Sequence, residues 1–380
     1  MFGAERACCA NEALLALASL PLMGPIRLHA VLDAWGAEEA WSILCHPGRS
    51  LGPVGVPPAA ETAWRQQARS IRPADLAAAH ADAGIAVAAK GGAGFPSRLT
   101  NDPEPPAVLF CKGNDEVLDA PTVGIVGTRR CTRYGRDVAF ELGCVLGGAG
   151  VTVVSGLALG IDAAAHAGVL QASGSPVGVV ASGLDVVYPR ANAGLWAEVT
   201  RTGMIASEHP LGVESKRWMF PARNRIIAGL SDVVVVVESP QNGGSMYTVD
   251  AALERDIPVF AVPGPVRSPM SAGTNRLLAD GALPMCDPAD VLEALGLSGA
   301  TSDRFRRPGA QPSASSDTSL RIDAKAILTA FAWQPRTVED LADVTQLNAA
   351  QVAAELQFLV AAGQVAQHGA WFERTVNGTR

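Results

Sequence analysis

Aromatic residues make up only 5% of the 380-residue chain, three of them tyrosines, so any base-stacking surface must rest on few rings. The seven cysteines form no CxxC pair, and an odd number in a chain of this size argues against a disulfide framework. They read as small core residues. His29, His46, His80, His209 and His368 lie scattered, without metal-ligand spacing, and no metal or other cofactor is expected. No GxxxxGK[ST] segment occurs, which removes support for nucleotide hydrolysis through a P-loop. No apolar run approaches the about 20 residues of a membrane span. The short apolar run Ala13 to Leu20 follows Glu5 and Glu12 and ends at Pro21, unlike a basic-then-apolar export signal. A cytoplasmic protein without a membrane partner is the expectation.

A net charge of −7 speaks against general affinity for polyanions. The local distribution differs. Arg129, Arg130, Arg133 and Arg136 fall within residues 129–136, and Lys216, Arg217, Arg223 and Arg225 within 216–225, with no acid in either segment. A solvated face is the ordinary explanation of a charge run, but these two flank glycines and apolar strands.

Hydrophobic content of 48% against 18% charged residues suits several packed domains, and 39 glycines and 26 prolines promise many turns. Residues 1–84 read as helical, with Leu14, Leu17, Leu20 and then Leu28, Val31, Leu32, Trp35 at helical spacing around a turn containing Gly24. Such a SAM-like or helix-hairpin-helix-like unit could grip a phosphate or dock a protein. A Pro/Gly loop is expected over 47–58. Residues 85–297 alternate short β-branched strands, at 108–111, 123–126, 151–154, 177–181, 204–207, 232–238 and 258–262, with Ala/Leu-rich helices. Continuous runs such as Val233 to Val237 imply strands buried on both faces, so a doubly wound parallel sheet of the Rossmann type is predicted. Residues 298–319 are polar and Pro/Ser-rich, as in a flexible linker. Residues 320–380 hold helices around Ile327 to Phe331, Val338 to Val344 and Ala349 to Ala361, then a hairpin, the order of a winged helix.

In an open parallel sheet, ligands bind outside the carboxyl ends of the strands. Three of those ends are glycine-rich here: Gly127-Thr128-Arg129, Ser155-Gly156, and Gly243-Gly244-Ser245. Glycine lets backbone N–H groups approach an anion, and the following helix points its positive end there. The first loop is not GxGxxG and no ribose-binding acid follows, which weakens a nicotinamide reading. Arg129 stands in place of the third glycine, a charged fork suited to phosphate. Arg223, Asn224 and Arg225 enter a helix after Phe220, and either face a phosphate chain or pair internally with Glu208 or Glu238. Asp162 and His166 share a helix face. An acid/base pair is conceivable, but a helix-start Asp bonded to loop N–H groups is the simpler role.

Taken in order, Gly127-Thr128-Arg129 with Tyr134-Gly135, Ser155-Gly156 with Gly160-Ile161-Asp162 and His166, Gly183 with Tyr188-Pro189, Ser207-Glu208, Phe220-Pro221 with Arg223-Asn224-Arg225, and Gly273-Thr274-Asn275 resemble the DNA-processing protein A (DprA/Smf) family. The resemblance spans about residues 95 to 290. It implies a Rossmann-like core that binds single-stranded DNA, self-associates as a homodimer, and helps place RecA recombinase on incoming DNA in natural transformation. It implies no catalysis. The DNA-binding set it suggests is Gly127, Thr128, Arg129, Ser155, Gly156, Lys216, Arg217, Phe220, Arg223, Asn224, Arg225, Gly243, Gly244 and Ser245. The chain departs from the family at Phe95-Pro96, usually Tyr-Pro, and at Asn242 to Tyr247, usually a Ser-Gly-Ser segment.

Two readings compete. Related sheets with a PGGxGTxxE motif cleave nucleoside-monophosphate glycosidic bonds as phosphoribohydrolases, but the third loop here lacks the later glycine and the terminal Glu. A winged-helix transcription factor would need a cationic reading helix, and no Lys or Arg lies between Asn348 and Gly363.

Overall fold

The computed structural model describes residues 2–46, 48–52, 57–297, 322–331 and 336–374. The linker assigned to 298–319 lies outside the described residues, as do residues 47 and 53–56 of the expected Pro/Gly loop. The chain divides into two compact units, Met1–Arg306 and Arg307–Arg380.

The first unit opens with four helices, α1 (Phe2–Ala18), α2 (Pro25–Cys45), α3 (Pro58–Ala68) and α4 (Pro73–Asp82), then β1 (Ala86–Ala89), α5 (Ser97–Thr100) and β2 (Val108–Gly113). Leu15, Leu17, Ile43 and Trp64 are buried there and share one core with Phe110 of β2. The alternating part follows: β3 (Thr122–Val126), α6 (Arg133–Gly148), β4 (Thr152–Ser155), α7 (Ile161–Gln171), β5 (Pro176–Val179), α8 (Ala193–Thr202), β6 (Met204–Ser207), α9 (Met219–Gly229), β7 (Val233–Val236), α10 (Met246–Leu253), β8 (Val259–Ala261), α11 (Ala272–Ala279), β9 (Leu283–Pro284) and α12 (Pro288–Ala294).

The sheet order is β1-β2-β6-β5-β4-β3-β7-β8-β9. From β6 to β9 every pairing is parallel, which bears out the doubly wound core. The expectation of a wholly parallel sheet needs correction at one edge, where β2 runs antiparallel to β6 and β1 antiparallel to β2. Apolar composition reports burial and carries no information about direction. The valine run shows how burial on two faces is met: Val233, Val235 and Val237 pack with Leu142 of α6 and Ile161 of α7, while Val234 and Val236 pack with Ile226 of α9 and Val249 of α10. Successive strand side chains point to opposite faces, so a sheet covered by helices on both sides needs an unbroken apolar run.

The second unit comprises α13 (Ile322–Ala330), α14 (Val338–Thr345), α15 (Ala349–Ala361) and the antiparallel pair β10 (Val365–His368) and β11 (Trp371–Arg374). Arg336 bridges Phe372 as a third short strand position. Thr337 and Asn348 start α14 and α15 with reciprocal capping boxes, which satisfy otherwise orphaned N–H groups. Three helices and a hairpin around Ile327, Phe331, Leu356 and Phe372 make a winged helix.

Candidate nucleic-acid interface

Between β3 and β7 the chain order reverses, the position where an open α/β sheet leaves a crevice at its carboxyl edge. A cavity of about 340 Å³ lies there, and all three glycine-rich loops line it.

Its walls are tied to one another by backbone contacts. Thr128 N donates to Glu238 O at 2.7 Å, and Ile161 N donates to Thr128 O at 3.3 Å. Gly127 has to be glycine because a Cβ would stand 2.6 Å from Ile161 Cγ1 and 2.8 Å from Glu238 O. Gly160 has φ +81°, and its Cβ would fall 2.4 Å from Thr128 O, so conformation and space both demand glycine. Glu238 is buried and accepts from Thr132 N (2.8 Å) and Thr132 Oγ1 (2.6 Å). Thr132 in turn caps α6 by accepting from Gly135 N.

In the second loop, Gly156 N and Ala158 N donate to Asp162 at 3.1 and 3.4 Å. Asp162 is thus the loop-bonded helix-start residue, and no acid/base pair forms with His166. His166 is fully buried, and burial pulls its pKa down to about 3, opposed by a hydrogen bond with the Ser155 backbone. Ser155 is buried too, its hydroxyl donating to Ile125 O at 2.6 Å, so this side chain is taken up by the sheet and only the loop backbone is available.

Arg223 lines the cavity from beneath. It is 6% exposed and donates to Gly156 O at 3.0 Å, to Val179 O, and to Asn224 Oδ1. Burial draws its pKa down to about 10, opposed by Asp162; burial also pushes Asp162 up, opposed by the Arg223 charge. Asn224 donates to Gly244 O at 3.1 Å, tying the third loop to α9. Ser245 donates to Ser239 Oγ at 2.8 Å. Thr248, in the first turn of α10, lines the cavity with a buried Oγ1 that has no partner among the described residues.

Two exposed arginines line the cavity. Arg129 and Arg130 are exposed, and neither forms an ion pair among the described residues. The Arg129 guanidinium stands 4.6 Å over the Phe220 ring, and Phe220 leans on Tyr188 with centroids 5.5 Å apart. Lys216 and Arg217, exposed just before α9, also lack an ion pair among the described residues.

Arg225 corrects the sequence reading. Its Nη2 donates to Glu208 at 2.7 Å, with side chains 14% and 7% exposed, and Glu104 stands 3.8 Å from its Nε. The internal pair with Glu208 is therefore the one that forms, and it removes Arg225 from the anion-facing set. Glu238 is taken by Thr132 and by neither arginine. Arg130 and Thr248 were absent from the expected set. Arg130 had a signal, since it stands in the first basic cluster; Thr248 had none, because an orphaned hydroxyl is visible only in three dimensions.

Among the described residues no helix is long and apolar enough to cross a membrane, and no group of His, Cys, Asp or Glu could hold a metal. Residues 86–296 match the family model described as DNA recombination-mediator protein A, and residues 311–370 that of the DprA winged helix domain. The chain is 41% identical over 202 residues to the DNA processing protein DprA of Bacillus subtilis, covering 53% of this chain and 68% of that protein. It is similar to the X-ray structure of DprA from Streptococcus pneumoniae, with TM-score 0.62 and 30% identity over 74% of this chain and 95% of that one. A Helicobacter pylori DprA structure, described as giving insight into a single-stranded DNA binding mode, matches with TM-score 0.51 and 30% identity over 56% of this chain and 95% of that one.

Proposed function

The chain belongs to the DNA recombination-mediator protein A family, and from that premise we propose that its cleft holds single-stranded DNA and that the bound strand passes to RecA recombinase in natural transformation. The observation that carries the reading is Arg129, which lines the glycine-lined cavity and also stands over Phe220 in the small pocket beside it. Charge for a phosphate and a ring face for a base occur together there, which is what a single-strand groove requires. The H. pylori relative supports it through its described binding mode.

Membership places the chain among recombination mediators and not among enzymes. The cavity is consistent with this, since Asp162 and Glu238 are committed to N–H and hydroxyl donors within the loops. We further assign residues 1–84 as a helical accessory region, 85–297 as the binding core and 320–380 as a protein-docking winged helix. A homodimer is supported by the apolar surface at the β9 edge, where Leu253 and Leu283 are 61% and 46% exposed beside a cavity of about 390 Å³. Work beside RecA places the chain in the cytoplasm.

An electrophoretic shift with single-stranded and duplex DNA of equal length tests the binding reading. Single strands should bind more tightly, because a base paired and stacked within a duplex cannot reach Phe220. Equal affinity for both forms would refute it.

A further inference from the structure

Outside the cleft, exposed apolar residues gather where Trp218 meets Gly24. We infer that Trp218 and the turn joining α1 to α2 form an additional contact station for single-stranded DNA, an inference that rests on the binding reading of the cleft.

Trp218 is the N-cap of α9, two residues before Phe220, and it is 52% exposed. The helical turn comes up against it: a Cβ on Gly24 would lie 3.9 Å from Trp218 Cη2. That turn presents Leu22 and Ile26, 68% and 86% exposed, and Arg27 braces it by donating to Leu22 O at 2.6 Å. Large apolar groups gathered on the surface in this way mark an interaction site. Its charge selects the partner. Residues 19–32 contain Arg27 and no acid, and residues 212–222 contain Lys216 and Arg217 against Glu214 alone. An indole face beside the exposed Lys216 and Arg217, two residues before the ring that carries Arg129, is a platform for one more base and its phosphates.

The test uses the full chain with oligothymidylates of about 5 and about 20 nucleotides, near the lower end of and beyond the about 4–16 nucleotides that single-strand grooves cover. Trp218→Ala and Ile26→Glu should each weaken binding of the longer strand, Trp218→Ala by about 5- to 150-fold, the about 1–3 kcal/mol of one stacked base at 1.4 kcal/mol per decade. Binding of the shorter strand should be little changed. Trp218→Phe should keep the affinity for the longer strand and abolish the tryptophan quenching that accompanies it. Unchanged long-strand affinity in Trp218→Ala overturns the inference, as does an equal loss at both lengths, which would mean that the ring acts only through the cleft. Arg129→Ala separates the two readings: if it weakens neither strand, the cleft assignment fails, whatever Trp218 does.

Discussion

Arg129 and Arg225 lie on one edge of the sheet, yet the structure gives them opposite roles, and a salt titration should separate them. Arg129, Arg130, Lys216 and Arg217 are exposed cations with no ion pair among the described residues. If each meets one phosphate of a long strand, the slope of log affinity against log salt is about −2.8, at about 0.7 per contact. Affinity then falls about 50-fold between 50 and 200 mM salt. Arg129→Ala should flatten the slope to about −2.1, a fall of about 20-fold, and leave the melting temperature in place. Arg225→Ala should keep the slope and damage the fold. It strands Glu208, whose side chain is 7% exposed, and removing one member of a buried pair costs about 3–5 kcal/mol. At about 2.1 cal/mol/K of unfolding entropy per residue, the Met1–Arg306 unit then melts about 5–8 °C lower. Burial already pushes the Glu208 pKa up and the Arg225 charge opposes it; without Arg225 the carboxyl takes a proton more readily, so the defect should be smaller at pH 5 than at pH 8. Filter binding at several salt concentrations and calorimetry on the same proteins measure both quantities. A flattened slope with an unchanged melting temperature in Arg225→Ala would refute the assignment, as would a full slope in Arg129→Ala.

Gly160→Ala should unfold or weaken the protein and abolish strand binding together, because its Cβ would meet Thr128 O at 2.4 Å from a φ of +81°; proteolysis rates and a gel shift read the two effects, and normal binding would show that the two loops are not mechanically joined. His166 stays neutral in the fold with its pKa near 3, whereas the unfolded chain takes up a proton near pH 6.5, so its contribution is fully present above that pH and is lost as pH falls. Stability should drop by about 2 kcal/mol between pH 7 and pH 5 on this account, and His166→Leu should lose that part of the acid sensitivity in denaturant titrations at the two pH values.

Seven of the nine strands of the large sheet were legible because they are short, largely apolar runs, from the valine-rich β4 and β7 to Met-Ile-Ala in β6, the chemical mark of burial on both faces. β1 escaped notice because Ala86, Ala88 and Ala89 give little contrast between faces. β9 is two exposed residues, one of them a proline. In the site, the glycine loops, Arg129 and Phe220 were legible because loop chemistry is local. The fate of Arg223 and Arg225 was not, since it depends on partners far off in sequence, Gly156 and Val179 for one and Glu208 for the other. Glu208 could be named beforehand as an alternative partner, but choosing it over a phosphate required the fold.

The three loops around the cavity are joined to one another before any ligand arrives, through Thr128 with Glu238, Ile161 with Thr128, Asn224 with Gly244, and Gly273 with Ser239. A receptor built this way has little left to order on association, so the conformational cost falls on the nucleic acid. Thymine tracts, whose bases stack poorly in solution, give up less on entering such a rigid seat than adenine tracts do. Selectivity among sequences then arises without any side chain reading a base edge, from how readily each strand lets go of its own stacking.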